Sequence, residues 1–368
     1  MITPLGIGVS HNFEQVLSGK KAVSNHSRAD IDADPIHAAL IPDDRFPESG
    51  PTGFTRFERM LTTSISEACA SSGTDPAARH TLFVISTTKG SISLLEEQEA
   101  TPQTIERSSL WYSARKVATH FNNPTDPVII SHACISGITS LLYAKRMLET
   151  GRFSHAVVAG ADAIGRFVYS GFRAFMALSP GYCKPFSESR DGINLGEAGA
   201  AVVLTTDPGK KGTGIALGAG SISNDANHIS GPSRTGDELA RAIGIALSGS
   251  GLTAADMGFI SAHGTATPFN DEMEAKAFAV SGLNEIPVNS LKGYFGHTLG
   301  AAGLVESVIS MEGMRNSTVV ASAGYTGQCV HPDITVAGQP ILKKMKHFLK
   351  TASGFGGCNA ALVFSKMQ

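Results

Sequence analysis

An α/β architecture, with helices packed on mixed sheets, is predicted by three observations. Short apolar runs recur at 82–86, 127–131, 156–160, 201–204, 259–262, 287–290 and 361–364. Most are continuous, which suits strands covered on both faces. Stretches with helical spacing lie between them, clearest at 57–70, 137–149, 237–248, 271–280 and 301–315. Strand–helix alternation of this kind marks α/β packing. The third observation is a polar, breaker-rich break, Asp207-Pro208-Gly209-Lys210-Lys211-Gly212, near mid-chain. It divides the chain into residues 1–206 and 207–368. The stretch 25–53, rich in Asp, Pro and His, is expected to be an irregular surface segment.

With 368 residues, of which 42% are apolar, the chain can bury a sizeable core. A net charge of -2 offers no electrostatic case for nucleic acid or an anionic membrane. No apolar run reaches the roughly 18 residues of a membrane span, and the start Met1-Ile2-Thr3-Pro4-Leu5-Gly6 has no leader-like pattern. Five cysteines (Cys69, Cys134, Cys183, Cys329, Cys358) form no CxxC pair. That argues against a disulfide framework or a zinc ribbon, and a cytoplasmic location is expected. Glycine, at 40 residues, is abundant and clusters where local geometry is tight.

Candidate chemistry begins at Cys134. The segment 128–137 reads as a buried strand turning sharply into a helix, with Ala133, Ser136 and Gly137 allowing the turn. A Cys at a helix N-terminus faces unpaired amides and the positive dipole end, which favour thiolate. A buried, inert thiol fits the same segment.

Two histidines each sit in a glycine-flanked turn. His263 ends an apolar run and precedes Gly264-Thr265-Ala266-Thr267-Pro268; His297 follows Gly296 and precedes a helix rich in small residues. Strand C-termini are where ligands gather in α/β sheets. Either histidine alone also reads as structural. A metal site finds no support, because the two are far apart in sequence and no local ligand completes a set.

Together the pieces carry a resemblance. The blocks His132-Ala133-Cys134-Ile135-Ser136-Gly137, 184–192, 262–268, 292–303 and Gly354-Phe355-Gly356-Gly357-Cys358-Asn359-Ala360, with a weaker one at 225–228, occur in one order. They resemble the elongating β-ketoacyl-[acyl-carrier-protein] synthases of the thiolase superfamily, from about residue 3 to residue 364. The resemblance implies a thiolase-like fold. Two similar α/β halves, 1–206 with the nucleophile and 207–368 with the two histidines, would stack central sheets in α-β-α-β-α layers. Two His, rather than His and Asn, imply elongation from a malonyl carrier. By resemblance, Cys134 is the nucleophile, and the amides of Cys134 and Phe355 form the oxyanion hole. His263 and His297 serve decarboxylation, and Lys292 and Glu306 organise the site. Thr265 and Thr267 grip the phosphopantetheine arm. Phe355 gates the acyl pocket beside Phe172, and Ile135 lies along or beneath the acyl path. Acyl carrier protein is the implied partner, no cofactor or metal is needed, and a homodimer is expected. The apolar strand near Ala156 suggests burial beyond one subunit.

Departures from the family pattern are His132, Ile135, Ser353 and the order Gly196-Glu197-Ala198-Gly199-Ala200. The chain also opens at the Thr3-Pro4-Leu5-Gly6 turn, so an edge strand of the first half is expected to be missing. Two rival functions stay open. A thiolase or acyltransferase without malonate would need a second catalytic Cys, for which Cys358 is the candidate. An inactive chain-length partner would keep the fold without acylation of Cys134.

Overall fold

A computed structural model describes residues 1–48, 50–207, 209, 214–327 and 330–367. Pro208, Lys210, Lys211 and Gly212 of the mid-chain break, and Cys329, lie outside the described residues.

Two large sheets organise the chain. The first runs in the order Gly6–Ile7, Ile2–Thr3, Ala198–Thr205, His155–Asp162, Thr81–Ser86, Val128–Ile130. The second runs Ile215–Asn224, Cys358–Lys366, His347–Gly354, Phe259–Ser261, Val288–Asn289. Leaving aside the short Gly6–Ile7 arm, both have the same plan. Chain-order strands one to five lie as one, five, four, two, three. In both, strand two is parallel to strands three and four, and strand five is antiparallel to strands four and one. The two similar halves expected from the resemblance are therefore present.

Side-chain alternation along the strands builds the layers, because successive residues point to opposite faces. In Thr81–Ser86, Leu82 and Val84 face a central core while Phe83 and Ile85 face an outer one. In His347–Gly354, Phe348 and Ala352 face the centre and Leu349 faces outward. The central core holds two helices, Ser136–Glu149 and Ala302–Arg315. Helices Arg56–Ser72 and Leu110–His120 cover the first sheet, and Asp237–Gly249 and Pro268–Val280 cover the second. The result is the α-β-α-β-α stack.

The central helices cross at their glycines. A Cβ on Gly137 would stand 2.8 Å from the Leu304 amide nitrogen, and one on Gly303 would stand 2.9 Å from that of Ile138. Only residues without a side chain allow this approach, and it sets the two helix N-termini side by side.

Three expectations need correction. The 25–53 stretch is not merely surface: Ser24–His26 and Ile36–Ala39 are paired strands, and Ile36, Ala38 and Ala39 are fully buried. The strand expected to be missing from the first half is present, since Ile2–Thr3 pairs with Ala198–Thr205 through Ile2 and Gly199. The strand near Ala156 owes its apolar character to burial within the subunit, with Ala156 and Val158 in the central core and Val157 and Ala159 in the outer one.

Candidate active site

Each central helix delivers part of the site from the turn before it. Cys134 precedes Ser136–Glu149, in a turn where Ala133 takes φ 43. That left-handed conformation costs an L-residue about 1–2 kcal/mol. Ser136 holds the turn, its hydroxyl accepting from the His132 amide (2.8 Å) and donating to the Ala133 carbonyl (2.6 Å). His297 precedes Ala302–Arg315, and its backbone is clamped by the other half of the chain. Its amide donates to Asn194 O (2.7 Å), and its carbonyl accepts from Gly196 N (3.0 Å). Gly196 is obligatory there, because a Cβ would lie 1.9 Å from Phe295 O.

His297 Nε2 then lies 3.0 Å from Cys134 Sγ. His263 arrives from the end of Phe259–Ser261, and its ring packs edge-on against His297 at 5.3 Å. One ligating atom from each of Cys134, His263 and His297 falls within 4.8 Å of the others, all three residues buried. Lys292 fixes the His263 tautomer. Its ammonium donates to Nδ1 (3.2 Å), to the His263 carbonyl (2.5 Å) and to Glu306 Oε1 (2.7 Å). Nδ1 therefore accepts, and the ring proton sits on Nε2.

Burial dominates the electrostatics. It holds His263 and His297 well below the usual histidine range, reinforced in both by Lys292. Both rings are neutral near pH 7. Burial also pushes the Cys134 thiol up to about 12, against the opposing pull of Lys292 and the Phe355 amide. Loss of hydration thus works against the thiolate that the helix end favours. The resting group is a thiol, and His297 Nε2 stands where a base must be.

Phe355 occupies the turn between His347–Gly354 and Cys358–Lys366. Its amide donates toward the Cys134 sulfur. Its ring stacks on Phe172 at 5.4 Å and meets Phe175 edge-on at 5.3 Å. Gly356 and Gly357 have φ 85 and φ 77. The 225–228 block clasps this turn, as Asp225 N donates to Gly357 O (2.8 Å). The Thr265 and Thr267 hydroxyls are 2.8 Å apart; Thr267 stands at the N-cap of Pro268–Val280 without making a cap bond. Ile135 is fully buried in the central core with Ile138 and Leu141, so it lies beneath the nucleophile and not along an open entrance.

Some site groups were not anticipated. Glu274 accepts from the amides of His263 (2.8 Å) and Gly264 (2.6 Å). Asp271 accepts from Thr265 N (3.0 Å) and Phe186 N (2.7 Å), and burial raises its pKa to about 7. Carboxylates three apart on the buried face of a helix were the available signal. Asp162 accepts from Thr88 N (2.9 Å) and Gly300 N (2.7 Å) and pairs with Lys89 at 3.1 Å. Lys350, in mid-strand, lies 2.6 Å from Glu306 Oε2.

A buried thiol, two imidazoles and a lysine–carboxylate pair thus meet where the paired α/β halves join. The chain belongs to the beta-ketoacyl synthase family, whose N-terminal domain matches residues 1–208 and whose C-terminal domain matches residues 213–326. The 3-oxoacyl-[acyl-carrier-protein] synthase 2 of Vibrio cholerae is 30% identical over 257 residues, covering 65% of this chain and 62% of that protein. The matched region is thus less than two thirds of that relative. A beta-ketoacyl synthase structure from Burkholderia phymatum superposes with TM-score 0.91 at 23% identity, over 100% of this chain and 97% of that one. The ishigamide ketosynthase/chain length factor gives TM-score 0.89 at 24% identity, over 100% and 97%. The fold is thiolase-like. Among the described residues, no helix is long and apolar enough to cross a membrane.

Proposed function

We propose that the protein is a 3-oxoacyl-[acyl-carrier-protein] synthase that joins malonyl-carrier to an acyl-enzyme thioester in fatty acid or related polyketide or polyene elongation. The observation that carries this reading is the convergence of Cys134, His263 and His297 within 4.8 Å in a buried site.

Cys134 attacks the acyl thioester while its proton passes to His297 Nε2. The amides of Cys134 and Phe355 stabilise the oxyanion, each donor commonly supplying about 3 kcal/mol. The carrier thiol leaves with the proton, and the acyl group stays on sulfur. Malonyl-carrier then enters. The His263 Nε2–H, and His297 once its remaining proton has moved from Nδ1 to Nε2, donate to its thioester oxygen as CO2 departs, holding the enolate. The enolate carbon attacks the acyl-enzyme, the C–S bond to Cys134 breaks, and the sulfur takes up one proton from solvent. The chemistry calls for no cofactor or metal. Thr265 and Thr267 offer hydroxyls to the phosphopantetheine arm, and Phe355 on Phe172 gates the acyl side.

Acyl carrier protein is the proposed partner. The proposed homodimer uses the edge strand Val128–Ile130, whose residues are half-exposed. A bare edge invites pairing with a second copy. The corresponding edge Val288–Asn289 is occupied by the 335–337 segment, through bonds such as Val288 N to Thr335 O. The Cys358 thiol faces the carbonyl of Phe355 at 3.5 Å, whereas the Cys134 sulfur faces His297 Nε2 at 3.0 Å, which favours Cys134 as the nucleophile.

Intact mass after incubation with an acyl-carrier, followed by peptide mapping, tests the reading. The adduct is expected on the Cys134 peptide, with CO2 released when malonyl-carrier follows. An adduct on Cys69, Cys183 or Cys358, or none at all, would overturn it.

A further inference from the structure

Lys350 stands within the strand His347–Gly354, which forms the middle of the second sheet. It shares its face with Phe348 and Ala352, so its side chain enters the central core, and it is fully buried. The ammonium donates to the carbonyls of Ser261 (3.0 Å), Ala262 (3.1 Å) and Thr351 (2.7 Å) and pairs with Glu306 at 2.6 Å. Ser261 and Ala262 are the two residues before His263. Glu306 is the carboxylate that Lys292 also uses, through its other oxygen.

Two buried ammonium groups therefore divide the Glu306 carboxylate, with Glu274 as a second carboxylate near Lys350. Replacing a buried ion pair by well-packed apolar residues is often neutral or stabilising, so packing alone does not call for a lysine here. We infer that Lys350 is a positioning residue of the condensing site. It ties the strand end that carries His263 to Glu306 and sets a positive charge in the core beside the two imidazoles, one of which faces the Cys134 sulfur. This rests on the condensing reading above.

The surroundings fit. Lys292, Lys350 and, for His297, Lys89 are the cations that face the imidazoles. Glu306 on Ala302–Arg315 and Glu274 on Pro268–Val280 are the carboxylates felt by Lys350, and Asp162 is paired with Lys89. The two rings also face one another and Cys134. Burial draws the Lys350 ammonium below the ordinary lysine value, and Glu306 draws it back up.

The test is the pH profile of Cys134 acylation by acyl-carrier, read by intact mass, in the wild-type protein and Lys350→Met. Loss of the charge removes a cause that lowers the histidine pKa values. The acid limb should then move toward neutral by roughly half a unit or more, as for one unit charge lost several ångströms away. Lys350→Arg, which restores the charge, should move it back. A merely structural lysine would lower the rate equally at every pH. Wild-type acylation with an unmoved limb in Lys350→Met would overturn the inference alone. Absence of wild-type acylation would overturn the condensing reading and the inference with it. If Lys350→Met does not fold, Lys350→Gln keeps a donor for the Ser261 and Ala262 carbonyls and carries the same comparison. Failure of both neutral variants to fold would assign Lys350 to folding and overturn its role at the site.

Discussion

The two halves share one strand plan yet place different chemistry at corresponding positions. Strand three of the first half, Val128–Ile130, leads into Cys134, whereas strand three of the second, Val288–Asn289, leads into Lys292 and His297. Strand two leads to Lys89 in the first half and to His263 in the second. The fourth strands differ as well: His155–Asp162 is apolar until Asp162, but His347–Gly354 carries Lys350 at its centre. Repetition thus supplies the places and residue type supplies the function. In the proposed mechanism the first half provides the nucleophile, and the second provides the two imidazoles and the Lys292, Lys350 and Glu306 charges around them.

The sharpest break in that division of labour is Cys134→Ala. Condensation should vanish, while slow malonyl-carrier decarboxylation continues, because both imidazoles remain in the second half. CO2 release and product formation measured together check this. Parallel loss of both would show that the histidines do not work without the thiol.

Removing the histidines should separate their roles. In His263→Ala and His297→Ala, CO2 release is expected to fall about 10²–10³-fold, as for loss of one oxyanion donor. Acylation should persist in His263→Ala but slow in His297→Ala, whose ring faces the sulfur at 3.0 Å. Equal acylation rates in the two variants would remove the base role from His297.

A smaller effect probes the join between halves. Gly303→Ala forces a methyl to 2.9 Å from the Ile138 amide nitrogen. Overpacking of this kind costs about 1–3 kcal/mol, so thermal melting should fall and acylation should slow as Cys134 and His297 part. An unchanged melting temperature would mean that the helix crossing is looser than the geometry indicates.

The pH response follows from burial. Both imidazoles have folded pKa values well below the ordinary 6.5. Between the two values the unfolded state binds more protons, so stability falls as pH drops below about 6.5, by up to about 1.4 kcal/mol per unit for each ring. Acylation should stay level through pH 6.5 and fall only well below it. An acid limb centred on 6.5 would indicate solvated rings. The smallest effect is expected from Phe355→Ala. It deletes a stack on Phe172 worth about 0.5–1.5 kcal/mol and leaves the amide in place. Acylation should continue, while malonyl-carrier loses its dependence on prior acylation, read as CO2 release without acyl donor.

Much of the fold was legible because buried strands are continuous apolar runs and helices repeat their apolar residues. The strands that escaped explain why reading stopped there. Ile215–Asn224 is interrupted by Gly218 and Gly220, with a register shift between Leu217 and Gly220. His347–Gly354 is interrupted by Lys350, whose charge argues against burial until Glu306 is brought beside it. The helix Arg166–Ala174 carries Phe172, but its polar residues masked the pattern.

By itself, the sequence determined which groups could react. Cys134, His263 and His297 each sit in a small-residue turn at the end of an element, and the order of their motifs marks the family. Tertiary structure decided what those groups are chemically. The protonation of the thiol, the tautomer of His263 and the sharing of Glu306 by Lys292 and Lys350 depend on burial and on contacts between distant segments. Such terms arise only when folding removes water and brings separate charges within a few ångströms.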